Sequence, residues 1–148
     1  MIPGLEEASF LHLGSVHRNS FLNSRELLND DLSSKKFPDI SFAGQITGVE
    51  GYTESASMGL YVALQVLRKL NGKEVHKFPV ETGIGALVNY VMTAPKPTPS
   101  NINFGLLPPV TLTKEQRRLR KERKRIKKKI ASDRAINAFN NFYTEYRV

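Results

Sequence analysis

The chain has 148 residues, a hydrophobic fraction of 40 % and a formal net charge of +8, which suits one domain of ordinary size with a buried core. The absence of cysteine excludes disulfides, thiolate metal ligands and cysteine nucleophiles within the chain, and its three histidines lack a metal-binding spacing. No stretch approaches the roughly 18 apolar residues of a membrane helix, and the acidic N-terminus lacks the layout of a signal peptide. These features predict a cytoplasmic protein without a metal site or a membrane partner.

Two short strands and one long helix are predicted in the first half of the chain. The strands cover residues 10–16 and 37–43, and a glycine-rich stretch follows the second strand. The helix is predicted over residues 53–70, with Thr53 or Ser55 as its N-cap. The expected core-facing residues of this helix are apolar and fall at helical spacing: Ala56, Leu60, Ala63, Leu64 and Leu67.

The second half begins with a shorter helix, predicted over residues 81–93. Five of the eight prolines then fall between Pro95 and Pro109, so this stretch is predicted to be extended or looped. Residues 101–107 within it are too apolar for a free linker and are expected to pack on the body. From residue 113 onward the chain is predicted to be helical. The expected apolar stripe of this last helix repeats at spacings of seven, four and three: Leu112, Leu119, Ile126, Ile130, Ala131, Ala135, Ala138 and Phe142.

The glycine-rich turn before the long helix carries the clearest chemical signal. Glycines let the backbone approach a ligand closely, and the helix N-terminus behind them offers unpaired N–H groups and a positive dipole. Such a site suits an anionic group, phosphate above all. The pattern is neither GxGxxG nor a Walker loop, so a plain strand-to-helix turn is the alternative. The candidate ligand contacts are Gly44, Gln45, Gly48, Gly51, Tyr52 and Thr53.

Four linked motifs carry a resemblance to a known family. FAGQ at residues 42–45, followed by GVEGY and a small-residue helix start, resembles the second flavin-contacting motif of large RNA-modifying flavoproteins. That family includes the folate-dependent tRNA uracil-5 methyltransferases and the GidA-type enzymes that modify the wobble uridine. HRNSF at 17–21, GVEGY at 48–52, FPVETGIGAL at 78–87 and NFGLLPP at 103–109 are similar to the methyltransferase branch. The GidA branch usually has GTTGY where this chain has GVEGY.

The resemblance implies a fold, cofactors and a substrate. The fold would be the C-terminal part of an α/β, Rossmann-like FAD-binding flavoprotein, followed by a basic helical tail. Residues 1–93 would be a partial FAD- and folate-binding α/β region, residues 94–112 a Pro-rich connector and residues 113–148 the tail. The whole enzyme would use FAD, methylenetetrahydrofolate and NAD(P)H to make 5-methyluridine in the T loop of tRNA, or in rRNA. Arg18 would reach a phosphate or the folate glutamate, and Asn19 a ring edge.

Two family features are absent from this chain. It has no strand–GxGxxG–helix unit for the dinucleotide and no cysteine for covalent chemistry, so no catalytic residue is assigned in it. The expected partner is therefore an N-terminal FAD-binding portion of the same enzyme, and the chain alone is expected to be an inactive fragment. Asn89 stands where the family usually has histidine. If that histidine stacks on the folate, its replacement is expected to weaken folate binding.

A concentrated basic segment lies between Lys114 and Lys129. It holds eleven basic and two acidic residues, a net +9, which leaves −1 for the remainder of the chain. Pairing within the helix cannot neutralise such an excess, and a polyanion would. A solvated helix without a partner is the alternative, and a non-enzymatic RNA-binding module is a third hypothesis for the whole chain. The candidate RNA contacts are basic side chains of this segment: Arg117, Arg118, Arg120, Arg123, Lys124, Arg125, Lys127 and Lys128.

Overall fold

The described part of the chain is built from helices. The computed structural model describes residues 3–9, 20–95 and 98–145. Within these ranges lie five α-helices and one 3-10 turn: α1 (Ser24–Leu27), the turn (Gly44–Thr47), α2 (Tyr52–Leu70), α3 (Gly83–Thr93), α4 (Lys114–Arg118) and α5 (Arg123–Glu145). β-structure in the described ranges is limited to three isolated bridges. The α/β character expected from the sequence is therefore not seen in these residues.

The strand prediction over residues 37–43 is wrong. Residues 37–43 form no strand, and their β-pairing is limited to one isolated bridge between Ser41 and Ser33. Phe37 is 54 % exposed, and the Lys69 ammonium donates to the carbonyl of Pro38 at 2.8 Å. A strand needs a neighbour that pairs with its backbone, and Pro38 has no N–H to offer to a ladder. The other predicted strand, residues 10–16, lies outside the described residues.

Helix α2 confirms the long helix and corrects its N-cap. Its N-cap is Gly51, not Thr53 or Ser55, and no side chain caps this end. The other end has the paired hydrogen bonds of a Schellman motif, with the amides of Gly72 and Lys73 bonded to the Lys69 and Arg68 carbonyls at 3.0 and 2.9 Å. Gly72 takes the left-handed conformation that this motif requires (φ 67°).

The core-facing side of α2 was predicted wrongly. The side chains that enter the core are those of Met58, Tyr61 and Gln65, all 3 % exposed or less. Gln65 is satisfied there because its side-chain amide bonds the backbone of His76 in both directions. Of the five apolar residues expected to face inward, four are exposed and Leu64 is half-buried. The prediction chose the side of α2 with more apolar residues. The side that is in fact buried includes the polar Gln65.

Helix α3 confirms the second predicted helix. Thr82 caps it, accepting from the Gly85 amide at 3.1 Å while its hydroxyl donates to the Pro79 carbonyl at 2.7 Å. Leu87 and Val91 then enter a core that α1, α2 and α3 share. This core includes an aromatic cluster in which the Phe78 ring lies 5.9 Å from that of Tyr61.

The basic tail forms two helices where one was predicted. The helix is interrupted between α4 and α5, at residues 119–122, and Leu119 is 52 % exposed. Thr113 and Gln116 form a capping box that starts α4. The pKa of Glu115 lies below the usual glutamate value because its own backbone N–H, and then the Thr113 side chain, hydrogen-bonds its carboxylate. Like charges at helical spacing disfavour an unbroken helix through this segment.

The rest of the predicted stripe does face the body of the protein. Ile126, Ile130, Ala135 and Ala138 are half-buried, and Ala131 and Phe142 are buried. The connector packs as predicted: Leu106 lies against the core cluster. The guanidinium of Arg134 on α5 donates to the carbonyls of Pro108 and Pro109.

Phe142 is the residue that fixes α5 to the core. Its ring lies 4.4 Å from Phe78 and 4.7 Å from His76. We expect Phe142→Ala to lower the free energy of unfolding by about 3 kcal/mol, because a buried ring leaves a cavity when it is removed. Tyr143→Ala is the matched control, since Tyr143 is 72 % exposed, and it should cost less than about 1 kcal/mol. Urea unfolding followed by circular dichroism measures both, and equal losses would contradict this assignment.

Candidate functional site: a glycine turn and a basic surface

The glycine turn has a backbone that only glycine adopts easily. Gly44, Gly48 and Gly51 all have positive φ, at 72°, 94° and 97°. A hydrogen bond from the start of α1 stabilises the turn: the buried Ser24 hydroxyl donates to the Thr47 carbonyl at 2.8 Å. Thr47 in turn donates to the Gly44 carbonyl at 2.7 Å. These two hydrogen bonds hold the backbone of the turn in place.

The N-terminus of α2 offers free hydrogen-bond donors. The first intrahelical bond joins the Ser55 amide to the Gly51 carbonyl, and no described residue accepts from the amides of Tyr52, Thr53 or Glu54. Tyr52 is 99 % exposed, and Gln45 in the turn is exposed as well. Three of the six predicted turn contacts, Gly51, Tyr52 and Thr53, therefore form one open helix end, while Gln45 is exposed in the turn and Gly44 and Gly48 are buried and shape it.

A segment far along the chain closes one side of the turn. Val49 pairs with Ser100 in a parallel bridge, and the Glu50 amide donates to the Ser100 carbonyl at 2.9 Å. The Asn101 side chain donates to the Glu50 carbonyl at 2.9 Å. The Glu54 carboxylate accepts the Ile102 amide at 3.1 Å. Sequence reasoning missed the roles of Asn101 and Glu54, because such long-range contacts leave no local signal.

The position of Glu54 changes the ligand chemistry that suits this helix end. Its carboxylate already lies in the first turn of α2, where it offsets the positive end of the dipole. A second full negative charge is therefore less suited here than the sequence predicted. A neutral acceptor, such as a carbonyl or ring nitrogen at the edge of a heterocycle, fits the free amides of Tyr52 and Thr53 better.

An apolar cavity of about 330 Å³ adjoins this helix end. Thr53, Glu54 and Ser57 of α2 line one side. The remaining lining comes from Phe78 and Thr82 before α3, and from α3, α5 and the connector, with the Phe139 side chain among it. An apolar cavity with a few polar groups at its edge suits part of a planar organic ligand.

Three further residues were singled out in the sequence for cofactor binding. Arg18 and Asn19, predicted as cofactor contacts, lie outside the described residues. Asn89 is exposed on α3. Among the described residues, no group of histidines and carboxylates could hold a metal ion. None of the described helices combines the length and the apolar character of a membrane span.

The eight predicted RNA contacts are all exposed on α4, α5 and the break between them. Of these eight, the one with a described ion pair is Arg125, whose guanidinium lies 3.9 Å from Glu122. Lys128 lies over the Phe104 ring at 5.2 Å, and the Arg117 Nε donates to the Leu112 carbonyl at 3.1 Å. The remaining cations of the set are available to a polyanion.

Three of these cations converge on one cleft. Arg117, Arg123 and Lys127 line a space of about 310 Å³ next to residues 110–112 of the connector. A guanidinium can bind phosphate with two parallel hydrogen bonds, and two guanidinium groups beside one ammonium make a strong anion site. The break between α4 and α5 brings them together, because it turns Arg117 back toward α5.

As a test of the predicted RNA contacts, we expect Arg123→Ala/Lys127→Ala to weaken the binding of a structured RNA about tenfold at low salt, with little dependence on RNA sequence. The slope of log affinity against log salt should fall by between about 1 and 2, because two phosphate contacts are lost. Filter binding at several salt concentrations measures both. Lys36→Ala/Lys73→Ala is the charge-matched control outside the segment. If that control weakened binding as much, net charge and not this cleft would account for the affinity.

Comparison with known proteins agrees with the motifs. The model of the family described as glucose inhibited division protein A matches residues 1–74. Proteins named methylenetetrahydrofolate–tRNA-(uracil-5-)-methyltransferase TrmFO are similar over more of the chain. The protein from Jannaschia sp. is 48 % identical over 97 % of this chain, and that from Natranaerobius thermophilus is 45 % identical over 95 %. The protein from Fervidobacterium nodosum is 54 % identical over 72 %.

The chain spans less than a third of the length of these relatives, between 25 and 31 %. The family model covers half of the chain, including the glycine turn and the whole of α2. On this match the chain belongs to the family of glucose inhibited division protein A.

Proposed function

We propose that this chain supplies part of the flavin site and the RNA-contacting surface of a cytoplasmic, folate- and FAD-dependent enzyme that methylates uridine C5 in tRNA. The observation that carries the proposal is the left-handed glycine turn with its open helix end, within a chain 48 % identical to a methyltransferase of that name. In this proposal the described helices belong to a larger α/β flavoprotein fold.

The residues of the turn fit a flavin in a particular way. Gly44, Gly48 and Gly51 set the backbone of the turn with their positive φ, and the free amides of Tyr52 and Thr53 would donate to an acceptor edge of the flavin. Glu54 and Asn101 hold the connector against the turn and thereby fix the position of those amides. The adjoining apolar cavity excludes water from one side of the bound group. When bound, reduced flavin supplies the electrons that convert the folate-derived methylene carbon to methyl, and NAD(P)H renews it.

The basic cleft gives the enzyme a means to position its RNA. Arg117, Arg123 and Lys127 bind backbone phosphates, which orients the RNA without reading its sequence. The target base must leave the helical stack to reach the cofactors, and firm hold on the flanking backbone supports that step. The protein thus contributes orientation, and the folate and flavin contribute the chemistry.

One experiment separates this function from its alternatives. In a chimera, this chain replaces the matching segment of the Jannaschia relative, and the chimera is expressed in bacteria that lack their own uracil-5 methyltransferase for tRNA. Mass spectrometry of tRNA nucleosides should then find 5-methyluridine whose methyl carbon carries label from folate. A modified wobble uridine in place of 5-methyluridine would support the GidA-type alternative. Tight tRNA binding with no modified uridine would support a non-enzymatic RNA-binding module.

A further inference from the structure

A second cleft, the Phe104 cleft, adjoins the basic cleft and combines an aromatic ring with cations. It has a volume of about 350 Å³, at the small end of the range for ligand sites. Its apolar lining includes Phe104, Pro108 and Pro109 of the connector and the buried Ala131 of α5. Phe104 itself is 47 % exposed. The cationic lining consists of three lysines of α5: Lys124, Lys127 and Lys128.

Local hydrogen bonds fix the position of Phe104. It lies in a turn in which the Leu106 amide donates to the Asn103 carbonyl at 3.1 Å. The Asn103 side chain accepts the Gly105 amide at 2.8 Å and donates to the Asn101 carbonyl at 3.1 Å. An asparagine that bonds the backbone in this way stabilises a turn. The Phe104 ring is therefore presented to solvent from an ordered part of the chain.

The proline segment and α5 are fixed to each other as well. The Arg134 guanidinium donates to the carbonyls of Pro108 and Pro109, which holds this segment against the helix. The three lysines and Ala131 follow one another at spacings of three and four, so they lie on one face of α5. From Lys124 to Ala131 this face is about 10 Å long. The cleft is thus an apolar floor with cations along one edge.

The lining of the Phe104 cleft suits a planar group that carries negative charge. Among the described residues, no carboxylate lines the cleft, so its three positive charges are not offset there. One exposed phenylalanine is ordinary on a protein surface. An aromatic ring beside a row of cations is the arrangement that binds single-stranded nucleic acid, because bases stack on the ring and phosphates pair with the cations. A duplex fits poorly, since its bases are already stacked on one another.

The contact that Lys128 makes does not obstruct a base. Its ammonium lies over the Phe104 ring, 5.2 Å from the centroid. A cation–π contact at an exposed site is weaker than the stacking of a base on an aromatic ring. A base can therefore displace the ammonium from the ring. The displaced ammonium then pairs with the phosphate of the same nucleotide.

The basic cleft next to this site favours a strand over a free nucleotide. Val110 and Lys127 line both spaces, so the two clefts are continuous. A strand with one base in the Phe104 cleft carries its next phosphate toward Arg117 and Arg123. A free nucleotide would occupy one cleft and leave the cations of the other unpaired.

We infer that the Phe104 cleft holds an unpaired nucleotide of an RNA strand, with its base stacked on Phe104 and its phosphate paired with Lys124 and Lys128. The site belongs to the RNA-contacting surface of the proposed function, so the inference rests on that function. It adds a preference for unpaired RNA over duplex. Stacking on a phenyl ring does not distinguish one base from another, so the preference concerns strand form and not sequence.

Fluorescence anisotropy of a labelled single strand and a labelled duplex, each about 12 nucleotides long, tests this preference at low salt. We expect Phe104→Leu to weaken single-strand binding about tenfold and duplex binding less than about twofold. The slope of log affinity against log salt should not change, because no phosphate contact is lost. Phe104→Tyr keeps a ring and should stay within about threefold of the wild-type affinity.

Phe37→Leu is the matched control for the loss of an exposed ring. Phe37 is 54 % exposed, and the Lys36 ammonium lies 5.3 Å from the centroid of its ring, yet it lies outside both clefts. This substitution should change neither affinity. Ultraviolet crosslinking of a strand that contains 5-iodouridine provides a second measurement on the wild-type chain. Peptide mass spectrometry should then find the crosslink on the peptide that contains Phe104.

Equal losses for the two RNAs, or an unchanged single-strand affinity in Phe104→Leu, would overturn the inference. So would crosslinks confined to other peptides. Adenosine monophosphate that binds as tightly as the strand would identify a free nucleotide as the ligand and would overturn it too. A wild-type chain that binds neither RNA would contradict both this site and the RNA-contacting surface of the proposed function. None of these measurements requires flavin, folate or methyl transfer, so a chimera that makes no 5-methyluridine would leave the Phe104 site standing.

Discussion

Replacing Gly85 by alanine should abolish the native fold of this chain. A Cβ at that position would overlap the carbonyl of Pro79 and lie 2.6 Å from the Phe78 carbonyl oxygen. Both obstacles are backbone atoms, which cannot turn away as a side-chain end can. Thr82 binds the same region, since its hydroxyl links the Pro79 carbonyl to the Gly85 amide. The start of α3 would have to move, and its buried residues Leu87 and Val91 would move with it.

We expect Gly85→Ala to lower the free energy of unfolding by about 4 kcal/mol or more, most of the stability of a small domain. Gly59→Ala is the matched control, because its new methyl group meets nothing within 4 Å. It lies inside α2, where alanine should stabilise the helix by about 0.5 to 1 kcal/mol. Urea denaturation followed by circular dichroism distinguishes them. A Gly85→Ala chain as stable as wild type would mean that the 78–85 turn is not packed as described.

The sequence predicted the long elements well and their surroundings poorly. The presence and approximate extent of α2 and α3 follow from helical spacing, a pattern that acts within a few residues. Helical spacing does not reveal which side of α2 faces the core. That side is set by Gln65, whose hydrogen-bond partner, His76, is eleven residues away. The strand prediction over residues 37–43 failed for the same reason: a strand requires a neighbour that local pattern does not reveal.

The candidate site divides in the same way. The sequence predicted a glycine turn before the long helix, and Gly44, Gly48 and Gly51 form it with positive φ. The clamp made by Glu54 and Asn101 joins positions about fifty residues apart and leaves no local trace. Arg117, Arg123 and Lys127 were predicted as members of a charged run. Their convergence on one cleft depends on the helix break at residues 119–122, which the seven-residue spacing did not predict.

Gly51→Ala should remove most of the flavin affinity of a full-length protein that carries this chain. Gly51 has φ 97° and ψ 148°, a backbone conformation that costs an L-residue about 1 to 3 kcal/mol. Its Cβ would also overlap the Glu54 carboxylate and lie 2.6 Å from the Asn101 amide nitrogen. Both side chains can move, but moving them releases the Ile102 amide and the Glu50 carbonyl. The connector would then leave the turn, and the free amides of α2 would lose their fixed position.

We expect this change to raise the FAD dissociation constant about 100-fold, which corresponds to about 2.7 kcal/mol. Gly59→Ala again serves as control, since it lies two helical turns beyond the free amides. Circular dichroism should find helix in both variants, which separates a loss of the site from a loss of the fold. Unchanged FAD affinity in a folded Gly51→Ala protein would exclude the turn from the flavin site.

The most direct measurement is a flavin fluorescence titration of the chimera at low salt, with wild-type Gly51 and with Gly51→Ala, alongside the isolated chain. The proposed function predicts one FAD bound tightly per chimera, a loss of about two orders of magnitude in affinity with alanine, and no tight binding by the isolated chain. Tight, stoichiometric binding by the isolated chain would contradict the claim that this turn is one side of a shared site. Equal binding by the two chimeras would contradict the claim that the turn holds flavin at all.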